Sequence, residues 1–575
     1  MNLTDEQLHI INSSGNIKVN AVAGSGKTTT ILEYIKTHSK SSKILYLAYN
    51  KSVKEEAKAK LIKQGITNVD VHTAHSLAYH SQNIYNTTLK SYSPYELPKL
   101  LNIESNKNKV IDKYLIAHYT LKLIDYFYNS NVEKIEDLDL IKIIFENESL
   151  NFVNEYYDYI YYLADLFYQL MKDGGIQITH DFYLKQYQLH KPKLNYDFIC
   201  FDEGQDASPV IWDIVNNQKA TKIITGDVNQ QIYSWRYAVN MLQNIDFQQF
   251  YLTQSFRFNQ DIADLAVRII NWKKYINNDY KISVIGSGNS KSTKVKALIA
   301  RTNLEMIDNA LEFARKSSKD TRIFFEGGNS NAFFLEENSL LNDIQNLYAD
   351  KRYLIKSNFI RNFGTFGELA NYNKKASDTN LSNFTDLVKK YGKHLNKILA
   401  FLKKKSIPDI SHKNNASMIF TTLHKAKGME YDSVELANDF IKESDVKDIH
   451  KRKNVNFAKI NEEINILYVA VTRTKNRLKF LKTNIKNEGE RTQISNDQES
   501  SEKAAYQIEK NIQSISLPIN NPKVVVKFDE FQKLLQHKIY AKMYQEGSIV
   551  FRAIAKYGSK NKKLFEIIKK MYESS

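Results

Sequence analysis

Short, nearly continuous apolar runs alternate along this chain with longer stretches whose apolar positions recur every three or four residues. The first such run carries Ile17 and Val19, others recur at 43–49, 69–71, 196–201, 222–225, 250–252, 295–300 and 418–422, and they predict buried strands. Stretches of the second kind predict helices. One follows Thr29, a second covers 52–61, and a third covers 461–474. Strands alternating with helices predict α/β domains with parallel sheets. From residue 92 to Gly174 the texture changes. Tyr156, Tyr157, Ile160, Tyr161, Leu163, Ala164, Phe167 and Leu170 recur at helical spacing, and no glycine occurs before Gly174-Gly175. That stretch predicts an inserted helical domain whose tyrosines serve as core and rim. A second, Lys-rich helical insertion is expected at 327–415. The expected organisation is a first α/β domain over 1–90 and 179–255, interrupted by 91–178. A second follows over 256–326 and 416–483, interrupted by 327–415. A polar linker is expected at 484–504, and the tail 505–575 carries no motif that can be read.

Composition narrows the partners. The 575 residues carry a formal net charge of +17, which suggests a polyanionic partner. A single cysteine, Cys200, excludes a disulfide framework within the chain and a four-cysteine iron–sulfur or zinc site. It lies in an apolar run and reads as core. No basic start followed by an apolar segment is visible at the N-terminus, and no run is long enough for a membrane span. A reducing cytosolic or nuclear compartment is expected, without membrane association.

The chemistry begins at Ala21-Val-Ala-Gly-Ser-Gly-Lys-Thr28, between a strand and a helix. Gly24 and Gly26 allow positive φ, so that the N–H groups from Ala23 through Ser25 to Thr29 can turn inward on an anion. The helix start adds partial positive charge. Lys27 can reach the outer phosphates of a nucleotide, and the Thr28 hydroxyl can hold Mg²⁺. Ala21 stands where the strict pattern has glycine. Thr4 and Gln7 form a capping-box pattern ahead of the loop. Asp202 and Glu203 follow a strand, as metal ligand and as base for the attacking water. Gln230, on a later strand-end turn, could sense the terminal phosphate. Arg257 and Arg473 belong to the second α/β domain and could serve as arginine fingers, which would make hydrolysis depend on closure of the two lobes. For the polyanion, aromatics stand beside basic or polar groups: Tyr49 with Asn50 and Lys51, Thr73 with His75, Tyr233 with Trp235 and Arg236, and His424 beside Lys425. Stacking on such rings is sequence-tolerant.

These residues together resemble the UvrD/Rep-type superfamily-one DNA helicases. The likeness runs in order over about 3–480. It rests on the phosphate loop, on Asp202-Glu-Gly-Gln-Asp206, on Gly226-Asp through Trp235-Arg236, on Thr422-Leu-His-Lys-Ala-Lys-Gly-Met-Glu430, and on Leu467-Tyr-Val-Ala-Val-Thr-Arg473. Within that group the chain is most similar to the F-box DNA helicases. Leu47 to Ser52, Thr179 to Lys185, Phe366 to Leu369 with Lys390 to Gly392, and Glu435 to Phe440 carry this likeness, although no F-box is expected ahead of the motor. The resemblance implies two RecA-like parallel-sheet motor domains of P-loop type, each with a mainly helical insertion. It implies ATP and Mg²⁺, a monomeric motor moving 3′ to 5′ on single-stranded DNA, and unwinding of tailed duplex in repair, recombination or replication, alongside proteins of those processes. It also implies that Gln7 reads adenine, Phe256 stacks on it, Glu430 contacts the ribose, and Tyr233 and Trp235 support bases. Thr29 replaces an arginine common in relatives, which implies weaker base selectivity. A translocase that strips bound proteins, an RNA helicase and a binding module that does not hydrolyse ATP are the alternatives. The compartment implied is nuclear in a eukaryote and the nucleoid in a bacterium or phage.

Overall fold

The computed structural model describes residues 3–481 apart from 39–41, 105–110, 235, 236, 239, 277–281, 329–338 and 452–454. The expected linker at 484–504 and tail at 505–575 lie outside the described residues, as do Trp235 and Arg236.

Six strands form the first sheet: β1 (Ile17–Ala21), β2 (Ile44–Leu47), β3 (Val69–His72), β4 (Phe198–Phe201), β5 (Thr221–Gly226) and β6 (Gln248–Leu252). Their order is β3-β2-β4-β5-β1-β6, and every pairing is parallel. A short parallel pair, β7 (Gln254–Ser255) and β8 (Ile285–Gly286), leads to the second sheet. That sheet contains β9 (Lys296–Ala300), β10 (Ile323–Phe325), β11 (Met418–Thr422), β12 (Tyr431–Leu436) and β13 (Thr474–Phe480), in the parallel order β10-β11-β9-β12-β13. Strands β2 and β11 are buried at every position, so neither face meets water. That is why they read as continuous apolar runs rather than alternating ones. Because all strands of a sheet run the same way, the loops after their C-terminal ends gather along one edge.

The connecting helices begin where the sequence places caps. Thr4 and Gln7 form the reciprocal capping box, and Asn50 and Thr73 accept N–H groups at the starts of Lys51–Lys63 and Ala74–Ser81. The helix expected over 461–474 instead spans Phe457–Val471, capped by Asn456. Thr472 closes it and Thr474 is already in β13. Strand β12 lies outside the apolar runs because Asp432, Ser433 and Glu435 break the pattern.

Between β3 and β4 stand the helices Asp112–Asn129, Asn147–Glu155 and Tyr157–Lys172, packed through Leu115, Phe127, Ile160, Leu163 and Phe167. Helix His180–Leu189 follows them and carries the fully buried Lys185. Its amine lies over the Phe127 ring and donates to the Ser130 carbonyl at 3.1 Å and to the Val132 carbonyl, past the end of Asp112–Asn129. Burial pushes this amine down to about 8. Between β10 and β11 stand Ser339–Tyr348, Phe366–Ala376, Thr379–Tyr391 and Leu395–Lys405. The two helical groups touch. The Tyr95 and Phe359 rings stack at 4.3 Å, and the Tyr95 hydroxyl donates to Asp378 at 2.9 Å. Ser149 Oγ and the Tyr119 hydroxyl both donate to the Lys375 carbonyl. No described helix is long and apolar enough to cross a membrane.

Candidate functional site

A cavity of about 350 Å³ opens between the C-terminal edge of the first sheet and the segments that lead into β12 and β13 of the second. One wall is the loop Gly24–Thr29 after β1, with Asp202 and Glu203 after β4 and Gln230 after β5. The other wall brings Arg257, Lys427, Glu430 and Arg473, all later in the chain.

The loop adopts its conformation through two glycines, with φ of +75° at Gly24 and +78° at Gly26. Gly24 also has no room for a side chain, since a Cβ there would stand 2.5 Å from the Arg257 Cβ. A Cβ on Gly26 would approach Gln7 Nε2 at 3.1 Å and the Phe256 ring at 3.8 Å, so both residues flank the loop. Gln7 Nε2 donates to Thr30 Oγ1 at 3.1 Å, and Phe256 is about half exposed. Ala23 is buried behind the loop.

Lys27 Nζ lies 3.3 Å from Glu203 Oε1. Burial opposes its charge, but Glu203, Asp227 and Asp202 raise the pKa of the amine overall. Glu203 is set at φ +61°, a left-handed conformation that turns its side chain off the end of β4. Burial works against its charge too, yet Lys27 and Lys427 hold the carboxyl down to about 2. Asp202 is buried and accepts from Tyr46 OH at 2.8 Å, Thr225 Oγ1 at 3.0 Å and Thr28 Oγ1 at 3.5 Å. Burial and the neighbouring Glu203 charge push its carboxyl up.

Polar contacts hold the second wall together, and Lys427 and Tyr468 join it to the first. Arg257 donates to Glu430 at 2.9 Å and to the Thr472 carbonyl at 2.9 Å. Lys475 reaches the same Glu430 at 3.2 Å. Arg473 is buried, with Nε on the Val469 carbonyl at 3.0 Å, and burial beside Arg257 holds its guanidinium down to about 9. Lys427 pairs with Asp206 and donates to the Gln230 carbonyl at 2.7 Å. Tyr468 OH donates to Asp227 at 2.9 Å, and Gln230 Nε2 donates to the same carboxylate at 2.8 Å.

A nucleotide triphosphate with a divalent cation fits this donor set. The Ser25 hydroxyl is buried in the loop without a partner among the described residues. The Thr28 hydroxyl and Asp202 carboxylate face each other, an oxygen pair suited to a hard cation.

The residues expected to meet DNA divide. Tyr49 and Asn50 line the same cavity, and the Tyr49 and Tyr233 rings stack at 5.8 Å. Lys427 lies over the Tyr233 ring at 4.7 Å, and Tyr233 OH donates to the His424 carbonyl at 3.4 Å. Burial and Arg301 hold the His424 imidazole down to about 4, so it is neutral at neutral pH. Thr73 caps a helix. His75 pairs with Asp181 at 2.9 Å in an adjoining cavity of about 720 Å³, which Tyr49, Asn50 and Asp206 line as well. Lys51 is exposed as the first residue of its helix. Lys427, Asp227, Tyr46 and Thr225 escaped the sequence reading. Lys427, inside Ala426-Lys-Gly428 beside His424, and Asp227, inside Gly226-Asp through Trp235-Arg236, carried a readable signal.

The comparisons agree with this geometry. Residues 3–250 match the UvrD/REP helicase N-terminal domain. The chain is 31% identical over 517 residues to F-box DNA helicase 1 of Gallus gallus, covering 82% of this chain and 48% of that protein. It is 27% identical over 529 residues to F-box DNA helicase protein 1 of Schizosaccharomyces pombe, covering 83% of this chain and 57% of that protein. A probable DNA helicase of Mycoplasma pneumoniae is 26% identical over 280 residues, covering 42% of this chain and 51% of that protein. The chain thus spans about half the length of the curated relatives it matches. With two parallel sheets meeting at a phosphate loop, and with this match in order along the chain, the protein belongs to the UvrD-like helicases.

Proposed function

We propose that this chain is an ATP-driven motor that moves 3′ to 5′ along single-stranded DNA and separates tailed duplex. The observation that supports it is the cavity where Lys27, Asp202 and Glu203 of one lobe face Arg257 and Arg473 of the other. The loop N–H groups and Lys27 bind the phosphates. Glu203, ionised across the working pH range, orients the attacking water and accepts its proton. Gln230 releases Asp227 to reach the terminal phosphate. Arg257 and Arg473 meet the charge that develops as that phosphate leaves, so turnover requires the lobes to be together. A magnesium ion held by Thr28 and Asp202 would neutralise phosphate charge. Gln7 and Phe256 flank the adenine, and Glu430 reaches the ribose. On the DNA side, Tyr49 and Tyr233 offer faces to bases, with Asn50, Lys51 and His424 near the backbone.

The test is turnover of ATP with and without single-stranded DNA, followed by unwinding of 3′- and 5′-tailed duplexes of DNA and RNA. Stimulated hydrolysis, lost in Lys27→Ala, and unwinding of the 3′-tailed DNA alone are expected. Turnover in Lys27→Ala equal to that of the unaltered chain would refute the site. Removal of a bound protein from the single strand without strand separation would replace unwinding by stripping.

A further inference from the structure

Lys273 belongs to the 3-10 turn Asn271–Ile276 in the second lobe, and it is almost wholly buried. It does not line the nucleotide cavity. Its amine crosses to the first lobe and donates to Asn229 Oδ1 at 2.8 Å. An ammonium group so far from water is costly unless an anion faces it. Asp227 supplies that charge, although burial still drives the amine down to about 7.

Asn229 is the centre of the turn Val228–Gln230. Its N–H donates to Asp227 Oδ1 at 3.0 Å, and Gln230 Nε2 donates to Asp227 Oδ2 at 2.8 Å. The side-chain nitrogen Nδ2 of Asn229 is buried without a partner among the described residues. The lysine contact is therefore what fixes the side chain of Asn229 in this turn. Two other second-lobe groups, Tyr468 on Asp227 and Lys427 on the Gln230 carbonyl, hold the two ends of the same turn. Lys427 lines the cavity, whereas Lys273 acts from behind it.

The geometry points to Lys273 as a positioning residue: from the second lobe it fixes Asn229, and through Asn229 the turn that carries Gln230. Contact between the lobes then sets whether that glutamine can reach the terminal phosphate. This rests on the reading of the cavity as a site of ATP hydrolysis.

The experiment compares the full chain with Lys273→Met, Asn229→Leu and the double variant, in ATP turnover at saturating single-stranded DNA. Methionine keeps the apolar bulk and removes a buried charge, so the fold should survive, with a thermal midpoint at or above that of the unaltered chain. The expected result is a ~10-fold fall in kcat for either single variant, the size of one lost hydrogen bond to a charged group. KM for ATP should stay within ~2-fold, because no nucleotide contact is removed. The double variant should fall no further than the singles, within ~2-fold, because both break one link. An unchanged kcat in folded Lys273→Met, or losses that multiply in the double variant, would overturn the inference. Should Lys273→Met not fold, an unchanged kcat in Asn229→Leu overturns it from the other lobe. An unaltered chain without turnover would instead overturn the hydrolysis reading itself.

Discussion

The Lys27 ammonium stands 3.3 Å from the Glu203 carboxylate, although one follows β1 and the other follows β4. The pair matters because Lys27 and Lys427 hold the Glu203 carboxyl down to about 2, so it is ionised at neutral pH. Glu203→Gln keeps the shape of the side chain and removes its ability to take a proton. The expected effect is a ~10²- to 10⁴-fold fall in DNA-stimulated kcat. Binding of a fluorescent ATP analogue should persist, since the phosphate loop is untouched. Unimpaired turnover would assign the proton to another group.

Asp206 and Lys427 join the lobes below that pair. Burial pushes the Asp206 carboxyl above its ordinary value to about 6, with Lys427 opposing. A raised carboxylate pKa means that the protonated form favours the fold. That contribution is complete below the ordinary carboxylate range and lost as pH rises through about 6. Pairing with Lys427 needs the ionised form, so the joint strengthens over the same interval. ATP turnover should therefore rise with pH through about 6, and Asp206→Asn should flatten that limb. The thermal midpoint of the unaltered chain, measured against Asp206→Asn, should fall across the same range. A limb that persists in the variant would place its origin elsewhere.

Gly24 and Gly15 provide a matched comparison. Both have positive φ, +75° and +77°, but only Gly24 is pressed against Arg257, while nothing lies within 4 Å of a Cβ on Gly15. Alanine at either position should cost ~1–2 kcal/mol of backbone strain in a melting experiment. Only Gly24→Ala should also displace Arg257 and lower kcat, by ~100-fold for a shift near 1 Å. Equal kcat values in the two variants would show that Arg257 does not need this placement.

Cys200 lies at the centre of β4, wholly buried, and burial raises its thiol pKa well above the ordinary value. As the chain's single cysteine, it should resist thiol reagents in the native protein and react stoichiometrically after unfolding. Rapid labelling of the native chain would mean that the first sheet opens.

Much of this site was legible because its groups sit in short, ordered strings at strand ends. The loop Gly24–Thr28, the pair Asp202–Glu203, Arg257 and Arg473 all follow or adjoin apolar runs, and the sheets bring them to one cavity. What stayed hidden depends on packing between distant segments. Tyr46 points from the middle of β2 at Asp202, and nothing in the run Ile44–Leu47 marks it as polar in purpose. Lys273 adjoins Lys274, and two lysines in succession carry no mark of burial, yet the fold buries one of them. Strand β12 was hidden by its own polar positions, which are only partly covered.

The stacked rings of Tyr95 and Phe359 tie together two insertions that spring from different lobes. The lobes also meet at the phosphate cavity, so the four segments close a circuit with no free end. In such a linkage no joint moves alone: if the cavity widens, either the insertions travel as a pair or their shared seam shears. The strength of that seam thereby sets how much of each chemical cycle can emerge as displacement.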